Sequence, residues 1–583
     1  MLPFVLLLLL LAGISCICPP ECECELDVRG RRQVMCTKGG MQVPIPITQM
    51  DAMLEVLKIS APDHNQNALT IGPIFQQFSQ LEEIHIVKSN IPAIGKHSFW
   101  GVPTLKMLNL TQNNISQVLE SNFQGLMHLE QLHLDDNRIE SMHSGTFRKL
   151  PELRVLSLAR NRITELAPRL FLSLAKLTRL DLSGNPLDDL SPEVFKDVQE
   201  LRVFACRGCG LKNINTHIYS LLSSLTHLDL GDNDIKYIAS DEFRDLRRLQ
   251  VLRLDGNHLP VVLERTFSWT PKLQVLSLAR NRLAKVTTTA FVNLTTLTEL
   301  DLSYNKLDRA ETLTFQPLAE SLKVLIIGGN NIPITELKYV LQVVVKLKEL
   351  SVADMGLTDI PLGLLVHLEH LRSLNFSGNN MMHFPSQVLA PVPKLNELDL
   401  SRNNFYGLDD RLLTRLETVP TVHLQGNPWS CDHCHINWML NRLERMEYLQ
   451  SVVCMYPYSV QGLTLAALDR ESLDWCSASP SYRDDSIAGL SLAHTTKLGF
   501  IAAGAAIILL LISSTVIVLT VFYSRHHAAY YYTHEEKRGP EHDSIFENHG
   551  AVIDDGLKPK KVSIATIDEI TKDPDLQILA NGS

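Results

Sequence analysis

Aromatic side chains are scarce in this chain, making up 6% of its 583 residues. Basic residues are outnumbered, 54 Lys and Arg against 64 Asp and Glu, and the net charge of −10 argues against nucleic acid as a partner of the whole molecule. A nucleophile elbow, a phosphate-binding glycine loop, a kinase signature set and an H-E-x-x-H pair are all missing. The histidines are spread rather than convergent, so an enzyme is not expected, nor a cofactor or metal. Cysteine is also sparse. Eleven are too few for a disulfide miniprotein, yet five fall in 16–36 and four in 431–476, which suits a secreted or surface-exposed protein. What is plentiful is apolar: 45% of residues, with 20% charged, which rules out a disordered or collagen-like chain.

Two stretches lack charge. Met1 to Ile14 includes the run Leu6 to Leu11, followed by the small residues Ala12, Gly13 and Ser15, and reads as a signal peptide over 1–16. Leu498 to Phe522 is 25 residues long between Lys497 and Arg525, and about 20 suffice to cross a bilayer as a helix. A single-pass type I topology at the plasma membrane follows. The N-terminus is expected outside, with a linker at 478–497, a transmembrane helix at 498–523 and a disordered cytoplasmic tail at 524–583. That tail is too short for a kinase or TIR-type domain, so any signalling goes through an adaptor or co-receptor.

Between these stretches the chain repeats. Leu105, Leu108, Leu110, Asn113, Ile115 recur as Leu129, Leu132, Leu134, Asn137, Ile139 and again from Leu153. The spacing is 24 residues and the pattern is L-x-x-L-x-L-x-x-N-x-L, the leucine-rich repeat signature. It starts at 54, 81, 105, 129, 153, 177, 201, 225, 249, 273, 297, 322, 347, 371, 395 and 419. The L-x-L core predicts a short strand with alternate side chains inside, and successive strands pair in parallel on a concave face. The asparagine turns inward to satisfy backbone groups of the turn. Pro62, Ser89, Cys209 and Met355 replace it, which predicts less regular turns there. Eighteen residues after each start an aromatic recurs from Phe99 to Phe315, a spine under the convex side. One coil cannot bury its leucines alone, so the ends need lids.

The terminal cysteines are placed to be those lids. Their patterns, C-x3-C-x-C-x11-C from Cys18 and Asn427-Pro428-Trp429-x-Cys431, resemble those of extracellular leucine-rich repeat proteins with cysteine-rich caps. With one span and a short tail the whole is similar to tartan- and capricious-like surface proteins. The resemblance implies the pairs Cys18–Cys24, Cys22–Cys36, Cys431–Cys454 and Cys434–Cys476, the last two across a C-x-x-C where the family has C-x-C. It also implies an α/β-type solenoid, a curved horseshoe with a parallel concave sheet, disulfide caps, one transmembrane helix and a disordered tail. The N-terminal cap occupies 17–50, the repeats 51–426 and the C-terminal cap 427–477.

Two cysteine clusters invite chemistry. Cys431, His433, Cys434 and His435 have zinc-like spacing, but an oxidising exterior favours disulfides. Cys206 and Cys209 fall on inward positions of register 201 and read as buried structural residues, free or paired with each other. Acids on the strand face, Asp181, Asp229, Asp301 and Asp399, read as solvated. Glycan acceptors N-x-S/T occur at Asn109, Asn114, Asn293 and Asn375. Between Asn109 and Asn375 the outward residues Arg154, Arg160, Arg179, Arg202 and Arg207 form a basic band flanked by acids. Arginine is enriched at interface hot spots, so the band is expected to contact a partner. The chain reads as a membrane-embedded recognition or adhesion protein that binds a protein ligand or cell-surface receptor, with a homo- or hetero-dimer open. A pattern-recognition receptor and a structural matrix anchor are the alternatives.

Overall fold

The computed structural model describes residues 18–475. The segments expected at 1–16, 498–523 and 524–583, and Cys476, lie outside the described residues. Among the described residues no helix is long and apolar enough to cross a membrane.

Each register start is followed two residues later by a short strand, from Val56–Ile59 and Glu83–Ile86 to Glu397–Asp399 and Thr421–His423. These strands pair in parallel and in register. Val155 lies opposite Arg179, Arg179 opposite Val203, and Val203 opposite His227. Alternation decides what is buried, because successive strand side chains leave opposite faces. Leu228 and Leu230 are 1% exposed, whereas Asp229 between them reaches the surface. At the N-terminal end Glu23–Leu26 and Arg32–Cys36 form an antiparallel hairpin, and its second strand pairs in parallel with Val56–Ile59. This hairpin covers the open sheet edge and completes one 18-stranded sheet.

The lids are covalently closed. Cys18 pairs with Cys24, Cys22 with Cys36, and Cys431 with Cys454. Cys434 is also disulfide-bonded. Cys431 and Cys434 are therefore not thiolate ligands, which removes the zinc reading. Cys206 and Cys209 are paired with each other and fully buried.

The aromatic spine stacks under the sheet. Phe243, Phe267 and Phe291 follow one another with ring centroids 6.0 and 6.5 Å apart. In register 201 the strand carries Phe204 where most other coils have leucine, and this ring meets Phe195 edge-on at 5.4 Å. Past Phe315 the aromatic gives way to Val340. There the eight-residue helix Ile334–Leu341 fills the outer side with Leu337, Val340 and Leu341.

The inward asparagines stitch neighbouring coils together. Asn257 donates to Leu230 O of the preceding coil at 2.9 Å and to Leu254 O of its own at 3.0 Å. Its Oδ1 accepts from Ile235 N at 3.0 Å. A residue with positive φ precedes this position in every register but the first, among them Gln112, Asp136, Gly256 and Arg402. The turns at Ser89, Cys209 and Met355 were expected to be less regular, and they are not. Lys88, Gly208 and Asp354 keep the left-handed conformation, with φ of 50°, 64° and 52°. Contacts between coils set the turn, and the asparagine only satisfies it. Met355 is the weakest of these substitutes, half-buried in a position built for an amide. Met355→Asn is expected to raise stability by about 1 kcal/mol by restoring buried hydrogen bonds. A shifted midpoint in urea unfolding checks this, and an unchanged or lower midpoint contradicts it.

Candidate functional site

The candidate surface is the outward face of the parallel sheet. Its side chains stand at the second and fourth positions after each start and form two columns. The first runs Gln131, Val155, Arg179, Val203, His227, Val251, Val275. The second runs His133, Ser157, Asp181, Ala205, Asp229, Arg253, Ser277 through the same registers.

Acids in the second column have a task that sequence reading missed. Oδ1 of Asp181, Asp229, Asp301 and Asp399 each accepts the backbone N–H two residues on, at 2.9 Å. Each carboxylate caps the end of its own strand, and this local bond is one that Asp and Asn make readily. Asn109 and Asn375 do the same at 3.0 and 2.8 Å. Their oxygen is engaged, not the nitrogen to which a sugar attaches. Asn293 is exposed, and Asn114 donates through Nδ2 to Asn90 at 3.0 Å.

The five arginines of the basic band do not share one environment. Arg160 holds Asp136 through two bonds of 2.6 and 2.7 Å, and Arg154 faces Glu130 at 3.9 Å. Arg207 lies among three carboxylates, Asp229 at 3.3 Å, Asp232 at 2.9 Å and Asp255, and Arg280 reaches Asp255 at 2.8 Å. Two glycines make room for this network. A Cβ on Gly231 would run into the Arg207 guanidinium, and one on Gly256, at φ 69°, would run into Asp232. Burial acts to raise the Asp255 pKa, but the hydrogen bond and charge of Arg207, with Arg280, outweigh it and hold it low. The hydrogen bond and charge of Asp255, with the charges of Asp229 and Asp232, raise Arg207 above its ordinary value. Arg207 thus ties registers 201, 225 and 249 together through its ion pairs.

A carboxylate with a depressed folded pKa stabilises above its unfolded value of about 3.9 and loses that contribution as pH falls through the folded one. Asp255→Asn should therefore unfold more readily than wild type at pH 7, and the gap should close below about pH 3.9. Urea titrations across that range check it; a gap independent of pH contradicts the assigned ion pairs.

Arg179 and Arg202 are exposed and make no ion pair among the described residues, and Arg253 joins them. Burial, then the positive charges of Arg179 and Arg253, lower the pKa of His227 between them. Around this cluster lie half-buried Val155, Val203, Val251 and Val275. Arg253 escaped the sequence reading because it stands alone in its register. Its column position, the one Asp229 occupies in the preceding coil, was the available signal.

A disulfide-lidded solenoid with an aromatic spine defines the class: a curved repeat protein whose parallel sheet is its largest regular surface. The leucine rich repeat model matches residues 79–139, 127–187, 199–259, 271–332 and 345–405, and the chain belongs to that family. It is 29% identical over 136 residues to trophoblast glycoprotein of Macaca fascicularis, 18% of this chain and 32% of that protein. To leucine-rich repeat transmembrane protein FLRT2 of Mus musculus it is 28% identical over 174 residues, 29% of this chain and 26% of that one. The matches thus span about a third or less of these relatives' lengths. The mouse RP105/MD-1 complex shares the fold at a TM-score of 0.57 and 22% identity, covering 76% of this chain and 83% of that one. The protein is a leucine-rich repeat protein with disulfide-lidded ends.

Proposed function

We propose that the protein is a single-pass cell-surface recognition or adhesion receptor that binds a protein partner on its concave sheet. The observation that carries the reading is Arg179 and Arg253 about His227, exposed and without ion pairs among the described residues, set among half-buried valines, with exposed Arg202 just before the strand Val203–Ala205. Arginine beside apolar area is the composition of interface hot spots, and the acids that flank it favour selectivity and steering. The intervening Asp181 and Asp229 repel a uniformly anionic polysaccharide, so a protein with carboxylates around an apolar ridge fits better. Names of relatives support the setting: one is a glycoprotein and one a transmembrane protein. The signal peptide at 1–16, caps at 17–50 and 427–477, repeats at 51–426, span at 498–523 and tail at 524–583 complete the proposed architecture. Proximity labelling from the tagged ectodomain on living cells tests it. Enrichment of particular surface proteins is expected, and labelling that depends only on sulfated glycans contradicts it.

The same reading places glycans at Asn109, Asn114, Asn293 and Asn375 and leaves Asn581, a fifth N-x-S/T match, bare in the cytoplasm. Peptide mapping of protein from mammalian cells should find sugar only among the first four. A glycan at Asn581 overturns the topology.

A further inference from the structure

The C-terminal cap exposes more large apolar side chains than a lid needs. Trp475 is 83% exposed, Tyr458 90%, Val453 47%, Met455 46%, Tyr456 44% and Leu463 43%. They form one neighbourhood. Cys454 N donates to Leu463 O at 2.8 Å and Gly462 N to Cys454 O at 2.9 Å, a short hairpin. Cys454 turns into the core there, and Val453 and Met455 on either side turn out. Trp475 rests on the His433 ring at 4.9 Å, and His433 N donates to Asp474 O. Two residues before His433, Cys431 N donates to Tyr456 O. Ser459, beside Tyr458, donates to Asp474 at 3.4 Å. Met455, Tyr456, Tyr458 and Trp475 thus lie on chain segments bonded to one another.

We infer that this face of the cap docks on the surface of the lipid bilayer. The occupant follows from where the described chain ends. Cys476 to Lys497 is a stretch of 22 residues, and the apolar run starts at Leu498. Twenty-two residues cannot reach further than about 75 Å in any conformation. The cap is therefore held next to the membrane, where even weak apolar contact is intramolecular and persistent. Tryptophan and tyrosine are the side chains that prefer the headgroup level, with an apolar ring and a polar tip. A patch of this kind facing water carries a cost, and contact with lipid relieves it. Docking fixes the C-terminal end of the solenoid and sets the angle at which the concave sheet faces outward.

This inference rests on the single-pass reading, and its test separates the two. The full-length chain is placed in phosphatidylcholine nanodiscs with ordinary or dibrominated acyl chains, and tryptophan fluorescence is compared. All five tryptophans lie within the described residues, at 100, 269, 429, 438 and 475. Brominated lipid is expected to quench part of the wild-type signal, and Trp475→Phe should remove at least half of the quenched part. Met455→Glu with Tyr458→Glu, with unchanged circular dichroism, should reduce the quenching of Trp475 by a similar factor. Equal quenching in wild type and both variants, in a chain that resists carbonate extraction, overturns docking and leaves the face to a protein. A chain stripped by carbonate overturns the single-pass reading and docking with it.

Discussion

Asn257→Ala is expected to destabilise the solenoid by about 1–3 kcal/mol while changing no surface residue. The amide is 2% exposed, and removing it strands the Ile235 N–H and takes one of two amide donors from each of the Leu230 and Leu254 carbonyls, which keep Asn233 and Asn281 Nδ2. Each buried group deprived of its bond costs about 1–3 kcal/mol, partly relieved by relaxation. The loss should exceed that from an exposed strand position and fall below that of Leu228→Ala, which empties an inward site at about 2–5 kcal/mol. Because coils are stabilised chiefly by their neighbours, unfolding should open first around registers 225 and 249 rather than at the lids. Hydrogen exchange read coil by coil checks this. Uniform exchange across the solenoid, or a midpoint shift worth less than about 1 kcal/mol, contradicts the coil-to-coil role of the asparagine.

Much of this architecture was legible because each leucine carries one instruction. The L-x-L spacing of Leu228 and Leu230 can bury both only as a strand, and a period of 24 residues can stack those strands only in parallel. The asparagine row, the phenylalanine spine and its end at Phe315 were readable for the same reason. What escaped depends on directions that a pattern does not carry. That Asp181 and Asp229 cap their own strand ends follows from the backbone turning just after them. The turns at Ser89, Cys209 and Met355 stayed regular because hydrogen bonds from adjacent coils hold them, information outside any single repeat. The arginines show the limit most plainly. Arg207 and Arg202 look equivalent as letters. Yet Arg207 is folded over carboxylates 22, 25 and 48 residues further on, while Arg202 makes no ion pair among the described residues. Register arithmetic brings Asp229, Asp232 and Asp255 near Arg207, but the two glycines that let its side chain lie flat are recognised only with coordinates. Arg253 was overlooked for the opposite reason: nothing beside it in sequence drew attention to a residue that the sheet sets close to His227 and Arg179.

Reversing the unpaired cluster, Arg179, Arg202 and Arg253 to Glu together, should abolish partner binding. Interface hot-spot arginines contribute about 2 kcal/mol or more each. Three reversals therefore correspond to a loss of well over 100-fold, because each 1.4 kcal/mol is tenfold. Folding should be untouched, since none of the three holds a partner that its loss would strand. Cell-surface level, read with an antibody to an N-terminal tag, should equal wild type. The matched control is Arg372→Glu with Arg402→Glu, which places two new carboxylates at the far end of the solenoid. Binding of the partner found by proximity labelling, titrated on cells expressing wild type, the triple variant and this control, is the most direct measurement. A loss of more than 100-fold in the triple variant, with the control within about threefold of wild type, is the predicted result. Equal binding by the two variants would take recognition off the concave sheet and contradict the account.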